Sequence, residues 1–175
     1  GSSDAAYMIR LIDERFRLNI GKAEMERYAA KLGADCAFFI SSEPVFATGI
    51  GNIFSPIKGI KEVLKGYYIT IIKPNVAVST KEAYANITPH KPKICCRDII
   101  KQPIETWREL LVNDFEESVF KLHPEVENIK NNLYEQGAIY AAMSGSGSSL
   151  FAIFKAEPQH LDSCFTDCFT FSVQL

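Results

Sequence analysis

Four short stretches carry residues that could do chemistry. In "LGADCAFF", Asp35 precedes an apolar run. A carboxylate at the mouth of a buried segment can accept a proton from a substrate hydroxyl, and it can equally cap a helix or pair with an Arg. In "MSGSGSSLF", Gly145 and Gly147 alternate with Ser144, Ser146 and Ser148 between apolar runs. Such a loop offers backbone N–H groups and small hydroxyls to an anion. A hairpin connection needs only one glycine, so the excess points to phosphate, although the stretch is neither a P-loop nor a strand–helix dinucleotide fingerprint. In "KPNVAVSTKEAY", a strand end, Pro74 and a capped helix set Tyr84 beside hydroxyl donors, which suits a base or a sugar as well as a packing tyrosine. In "VNDFE", Asn113 and Asp114 break an amphipathic run as a kink or a new N-cap would.

The opening "GSSDAAYMIRLIDERF" begins directly on a helix. Ser and Asp side chains can accept hydrogen bonds from the free N–H groups of its first turn. Ala5, Met8, Ile9, Ile12 and Phe16 recur at helical spacing and predict its packing face. Gly1 and Ser2 are either vector-derived residues or the tail of a glycine-rich phosphate loop.

The elements that must position these residues follow from pattern. A second helix is expected over roughly Met25 to Leu32, closed by Gly33 in a left-handed cap. Two strands surround Gly49 and Gly51 as a hairpin or bulged turn. Gly59 and Gly66 bracket a connector that divides the chain into residues 1–65 and 66–175. "YYITIIKP" is a strand stopped by Pro74. Ser79 or Thr80 caps a helix, with Glu82 completing a capping box after Ser79. "PIETWRELLVNDFEESVF" and "PEVENIKNNLYEQG" are amphipathic helices, "AIYAAM" and "SLFAIF" are strands, and a helix from about Pro158 leads to a final strand "CFTFSVQL". From Tyr67 onward this order predicts an α+β, split β-α-β domain of ferredoxin-like type, with helices on one face of an antiparallel sheet.

Composition narrows the function. The chain has 175 residues, 47% hydrophobic and 23% charged, enough for a core without disulfide staples. A net charge of −2 without a basic block argues against nucleic acid and anionic membranes as main partners. No apolar run approaches the roughly 20 residues that cross a bilayer. The five cysteines, Cys36, Cys95, Cys96, Cys164 and Cys168, form no C-x-x-C pair. No His stands in finger spacing to them, and His90 reads as a loop residue. Reduced thiols in a cytoplasmic protein are expected, with no metal site.

Taken in order, "GSSDAA", "LGADCAFF", "PVFATGIGNIFSPI", "KPNVAVSTKEAY", "VNDFE" and "MSGSGSSLF" resemble the GHMP kinases. The resemblance runs from Gly1 to about Lys155. It implies an ATP- and Mg²⁺-dependent small-molecule kinase of isoprenoid precursor synthesis by the non-mevalonate route, whose substrate is a cytidyl-diphosphate sugar alcohol. Residues 1–65 would then be the remnant of an N-terminal ATP-binding domain and residues 66–175 the C-terminal domain. Gly1, Ser2 and Ser3 match the end of the family's ATP loop, and Gly145, Ser146 and Gly147 its third motif beside the phosphates. Asp35 matches the catalytic carboxylate, and Thr80 and Tyr84 the place where the cytidine end is held.

The family's Lys-bearing N-terminal strand and the earlier glycines of its ATP loop have no counterpart here. The resemblance therefore implies a chain that starts inside its own phosphate loop, inactive alone and inclined to form a homodimer through the faces of "AAYMIRLI" and "CAFFI". A homoserine- or mevalonate-type kinase and a non-catalytic ligand-binding or self-associating module are the alternatives.

Overall fold

The computed structural model describes residues 1–88 and 91–175 and forms two compact units, residues 1–58 and 59–175. His90 lies outside the described residues.

The first unit opens with α1 (Ser2–Phe16), followed by α2 (Lys22–Leu32), the short α3 (Phe38–Ser41) and a hairpin of β1 (Val45–Thr48) and β2 (Ile53–Pro56). Gly1 is the N-cap of α1, so Ser2 and Ser3 stand inside its first turn and neither side chain caps it. The Gly1 amino group donates to Asp4 at 2.8 Å, and that bond holds the exposed Asp4 carboxyl below its ordinary range.

The packing face of α1 differs from the expected one. Ala6, 0% exposed, packs with Ala29, Cys36, Ala37 and Ile40, flanked by Ala5 and Ile9. Met8, Ile12 and Phe16 remain exposed. Small side chains at the contact let helices approach closely, so the alanines rather than the bulkiest residues define the seam.

The left-handed turn expected at Gly33 is absent. Gly33 has φ 177°, extended backbone open to any residue, and α2 starts at Lys22, earlier than its apolar pattern predicts. Arg17 at the end of α1 takes the left-handed conformation instead, with φ 50°. The β1–β2 hairpin forms as expected, pairing Val45 with Pro56 and Thr48 with Ile53 around Gly49 and Gly51. Both glycines have positive φ, 70° and 88°, which this tight turn requires.

In the second unit, α4 (Ile60–Leu64) leads into β3 (Tyr68–Pro74) and α5 (Thr80–Ala85). Then come α6 (Cys96–Ile99), a 3₁₀ turn (Ile104–Thr106), α7 (Trp107–Leu110), α8 (Glu116–Leu122) and α9 (Pro124–Glu135). The hairpin β4 (Tyr140–Met143) and β5 (Leu150–Phe154), α10 (Leu161–Cys164) and β6 (Cys168–Gln174) complete it. The sheet is antiparallel with order β4-β5-β3-β6, the split β-α-β arrangement.

Alternation along the strands explains the layers. Ala141, Met143, Leu150, Ala152, Phe154 and Ile72 enter one core with Val119, Val126, Leu133 and Leu161 from α8, α9 and α10. Tyr140, Ala142 and Ile153 face the other way and pack with Ile99, Ile104 and Trp107. The single helical layer expected is therefore two at the β4–β5 end of the sheet. Both strands are apolar at every position, the pattern of strands covered on two faces.

"PIETWRELLVNDFEESVF" is not one helix but a 3₁₀ turn and two short helices separated by Leu111–Phe115. The last helix is shorter than expected, four residues from Leu161.

Candidate active site

In the first unit a cavity of about 510 Å³ lies between the start of α1, the α2–α3 turn and the β1–β2 hairpin. Ser2 and Ser3 reach it from the first turn of α1, and Asp35 from the segment after Gly33. Phe38, Phe39, Val45, Ala47 and Phe54 form its apolar wall. Phe38 meets Phe39 and Phe54 edge to face, with centroids 5.1 and 6.4 Å apart, which stiffens that wall. Gly51 lies against Asp35, since a Cβ there would stand 3.4 Å from Asp35 Oδ1. Asp35 is exposed, and among the described residues no cation or hydrogen-bond donor engages its carboxylate.

Chemically this places an unengaged carboxylate on the same hollow as the N-terminus of a 15-residue helix. The free N–H groups and dipole of such a terminus favour negative charge, and small serines allow close approach. Gly1, at the tip, has open space around its Cα.

The second unit gathers Thr80, Ser146, Gly145 and Gly147. The Ser144–Ser149 turn joins β4 to β5, closed by Ser144 N–H to Ser149 O at 2.8 Å and Gly147 N–H to Ser144 O at 3.1 Å. Thr80 Oγ1 is 3.4 Å from Ser146 Oγ. Lys73 Nζ donates to Ser148 Oγ at 3.0 Å and to the carbonyls of Pro74 and Val76, tying the loop to the end of β3. Ser79 is the N-cap of α5 but makes no side-chain cap bond, so the expected capping box is not formed. One turn into α5, Tyr84 is 62% exposed and rests edge to face on Phe115, centroids 4.8 Å apart. Its ring is thus available to a planar ligand rather than buried as a packing tyrosine.

Sequence reasoning missed the supports. Asn113 Nδ2 donates to Met143 O at 2.7 Å and Gly145 O at 2.8 Å. Glu116, 5% exposed, accepts from Met143 N–H at 2.7 Å and from Lys130 Nζ at 2.6 Å. The polar break in an amphipathic run was the available signal for Asn113. Nothing local marks Glu116, because its partners lie 14 and 27 residues away.

Residues 97–163, within the second unit, match the family described as GHMP kinases C terminal. Curated relatives named 4-diphosphocytidyl-2-C-methyl-D-erythritol kinase align along nearly the whole chain. The one from Bacteroides thetaiotaomicron is 57% identical over 90% of this chain, and the one from Parabacteroides distasonis 51% identical over all of it. The chain belongs to the GHMP kinases. As a member of that family it spans 56% and 64% of the length of those two relatives. Its fold agrees with a crystal structure of 4-(cytidine 5′-diphospho)-2C-methyl-D-erythritol kinase, TM-score 0.78 at 22% identity, covering 98% of this GHMP kinase chain and 63% of the other. A homoserine kinase from Cytophaga hutchinsonii gives TM-score 0.58 at 16% identity over 93% of this chain and 60% of the other.

Proposed function

We propose that the protein is a cytoplasmic, ATP-dependent small-molecule kinase that phosphorylates a hydroxyl of 4-diphosphocytidyl-2-C-methyl-D-erythritol. The observation that carries this reading is the cavity shared by the Asp35 carboxylate and the first turn of α1, in a chain 57% identical to a relative of that name. The five cysteines are unpaired, which suits a reducing compartment.

The residues fit ATP at the α1 tip. Ser2 and Ser3, in the first turn of α1, line the cavity, and the free N–H groups of such a turn favour phosphate. When bound, Mg²⁺-ATP supplies the phosphoryl group and a leaving group whose charge the metal neutralises. Asp35 accepts the proton of the substrate hydroxyl and orients that oxygen. The aromatic residues Phe38, Phe39 and Phe54 form the apolar side of the same hollow. Within the second unit, the resemblance to the family assigns Thr80 and the exposed Tyr84 ring to the cytidine end of the substrate and the Gly145–Gly147 turn to phosphate.

The test uses the complete gene product with ATP, Mg²⁺ and a panel of the cytidyl substrate, homoserine and mevalonate. Turnover of the cytidyl compound alone is expected. Asp35→Asn should lower kcat by about a thousandfold or more while circular dichroism stays unchanged. Turnover of homoserine instead, or a wild-type rate in the Asn variant, overturns the reading.

A further inference from the structure

The contacts around the glycine–serine loop close on themselves, and one side chain joins their ends. Asn113 stands in the break between α7 and α8, half buried. Its Nδ2 donates to Met143 O and Gly145 O, at the base and inside the loop. Its Oδ1 accepts the N–H of Phe115 at 3.0 Å, which fixes the residue whose ring supports Tyr84. Tyr84 lies one turn along α5 from Thr80, and Thr80 reaches back to Ser146 in the same loop. From Asn113 the path thus runs through Gly145, Ser146, Thr80, Tyr84 and Phe115 and returns to Asn113.

Gly145 and Gly147 have φ 57° and 93°, so the loop has backbone freedom that some outside group must remove. Thr80–Ser146 is a long contact between surface hydroxyls and restrains it weakly. The two Asn113 amide bonds are short and end on backbone carbonyls, so they hold the first half of the loop directly, while the Lys73–Ser148 bond ties its second half to β3.

We propose that Asn113 is a positioning residue that locks the glycine–serine loop and the Tyr84 platform into one arrangement, so that the phosphate side and the cytidine side of the site are organised together. This rests on the functional reading above for what the two places bind.

Asn113→Asp tests it. Aspartate keeps the size but sets an oxygen against two carbonyl oxygens where two donors had been, and that repulsion turns the side chain away from the Phe115 N–H as well. In hydrogen exchange on the ligand-free protein, the segments 144–149 and 80–86 should both exchange about tenfold faster or more, while β3 and β5 keep their protection. In the complete gene product, KM for ATP and for the cytidyl substrate should rise together by about tenfold, with kcat falling less than about threefold. Phe115→Leu, which leaves the Asn113 amide bonds in place, should loosen 80–86 alone. Should the Asp variant not fold, Asn113→Gln, with donors and acceptor displaced by one methylene, carries the same measurements.

Loosening of the loop without 80–86, uniform softening of the unit, or unchanged KM values in an active enzyme overturns the proposal. A wild-type gene product that turns over none of the panel overturns the kinase reading instead, and the paired exchange response then decides the positioning role by itself.

Discussion

At Gly147 one missing carbon decides where the loop runs. Its φ is 93°, and a Cβ would stand 2.7 Å from the sulfur of Met143, which is itself 2% exposed, so the buried thioether would have to shift. Gly147→Ala is therefore expected to destabilise the protein by roughly 1–3 kcal/mol, read by chemical denaturation. Gly145 meets nothing within 4 Å, so its constraint is the backbone angle alone and not crowding. Asp35 has the opposite character. Its carboxylate is exposed, with Gly51 beside it and no partner among the described residues, so replacing it costs little in packing.

At the scale of elements, the β4–β5 hairpin is the rigid base of the loop, and Tyr140 anchors it. The Tyr140 hydroxyl donates to Leu111 O at 2.7 Å, and its ring meets Trp107 and Phe151 edge to face. Burial first, then the charge of Glu116, raises its phenol well above the ordinary range. A group whose folded pKa is raised contributes stability that is complete below its unfolded value and lost above it. The protein should thus lose stability as pH rises past about 10, and Tyr140→Phe should flatten that alkaline limb at a cost of about 1–2 kcal/mol at neutral pH. Denaturation midpoints measured between neutral and alkaline pH check both statements.

Strands were the most legible elements. The two-glycine turn, the Pro74 stop and the apolar runs flanking "SGSGS" each carry a local physical signal, and their spacing was enough for the split β-α-β order. Helical segments were less so. Leu111–Phe115 breaks an otherwise periodic run because Asn113 is held by Met143 and Gly145, 30 and 32 residues away. The buried stripe of α1 falls on alanines because α2 carries an alanine opposite, a match between two surfaces that a one-helix pattern does not contain. For the candidate site, the residue types around Asp35 and the serines were readable. The aromatic wall and the Asn113 and Glu116 supports were not, since they depend on long-range partners.

At the scale of the molecule, β6 is an edge strand with no charged residue from Cys168 to Leu175. Phe169, Phe171 and Val173 on it are 63%, 50% and 44% exposed. An uncharged edge with alternate apolar side chains is a template for pairing with another strand. Phe171→Lys is expected to reduce concentration-dependent association in light scattering with little change in Tm. An unchanged scattering profile would remove β6 as the cause.

The division into two units bears on how the protein reports on itself. Its one tryptophan, Trp107, is 3% exposed, donates its indole N–H to Gln102 O at 3.2 Å and sits in the second core of residues 59–175. Tryptophan fluorescence, excited apart from the tyrosines, therefore reports on that unit. A sample in which residues 1–58 had melted, taking the Asp35 cavity with them, would keep a native tryptophan emission.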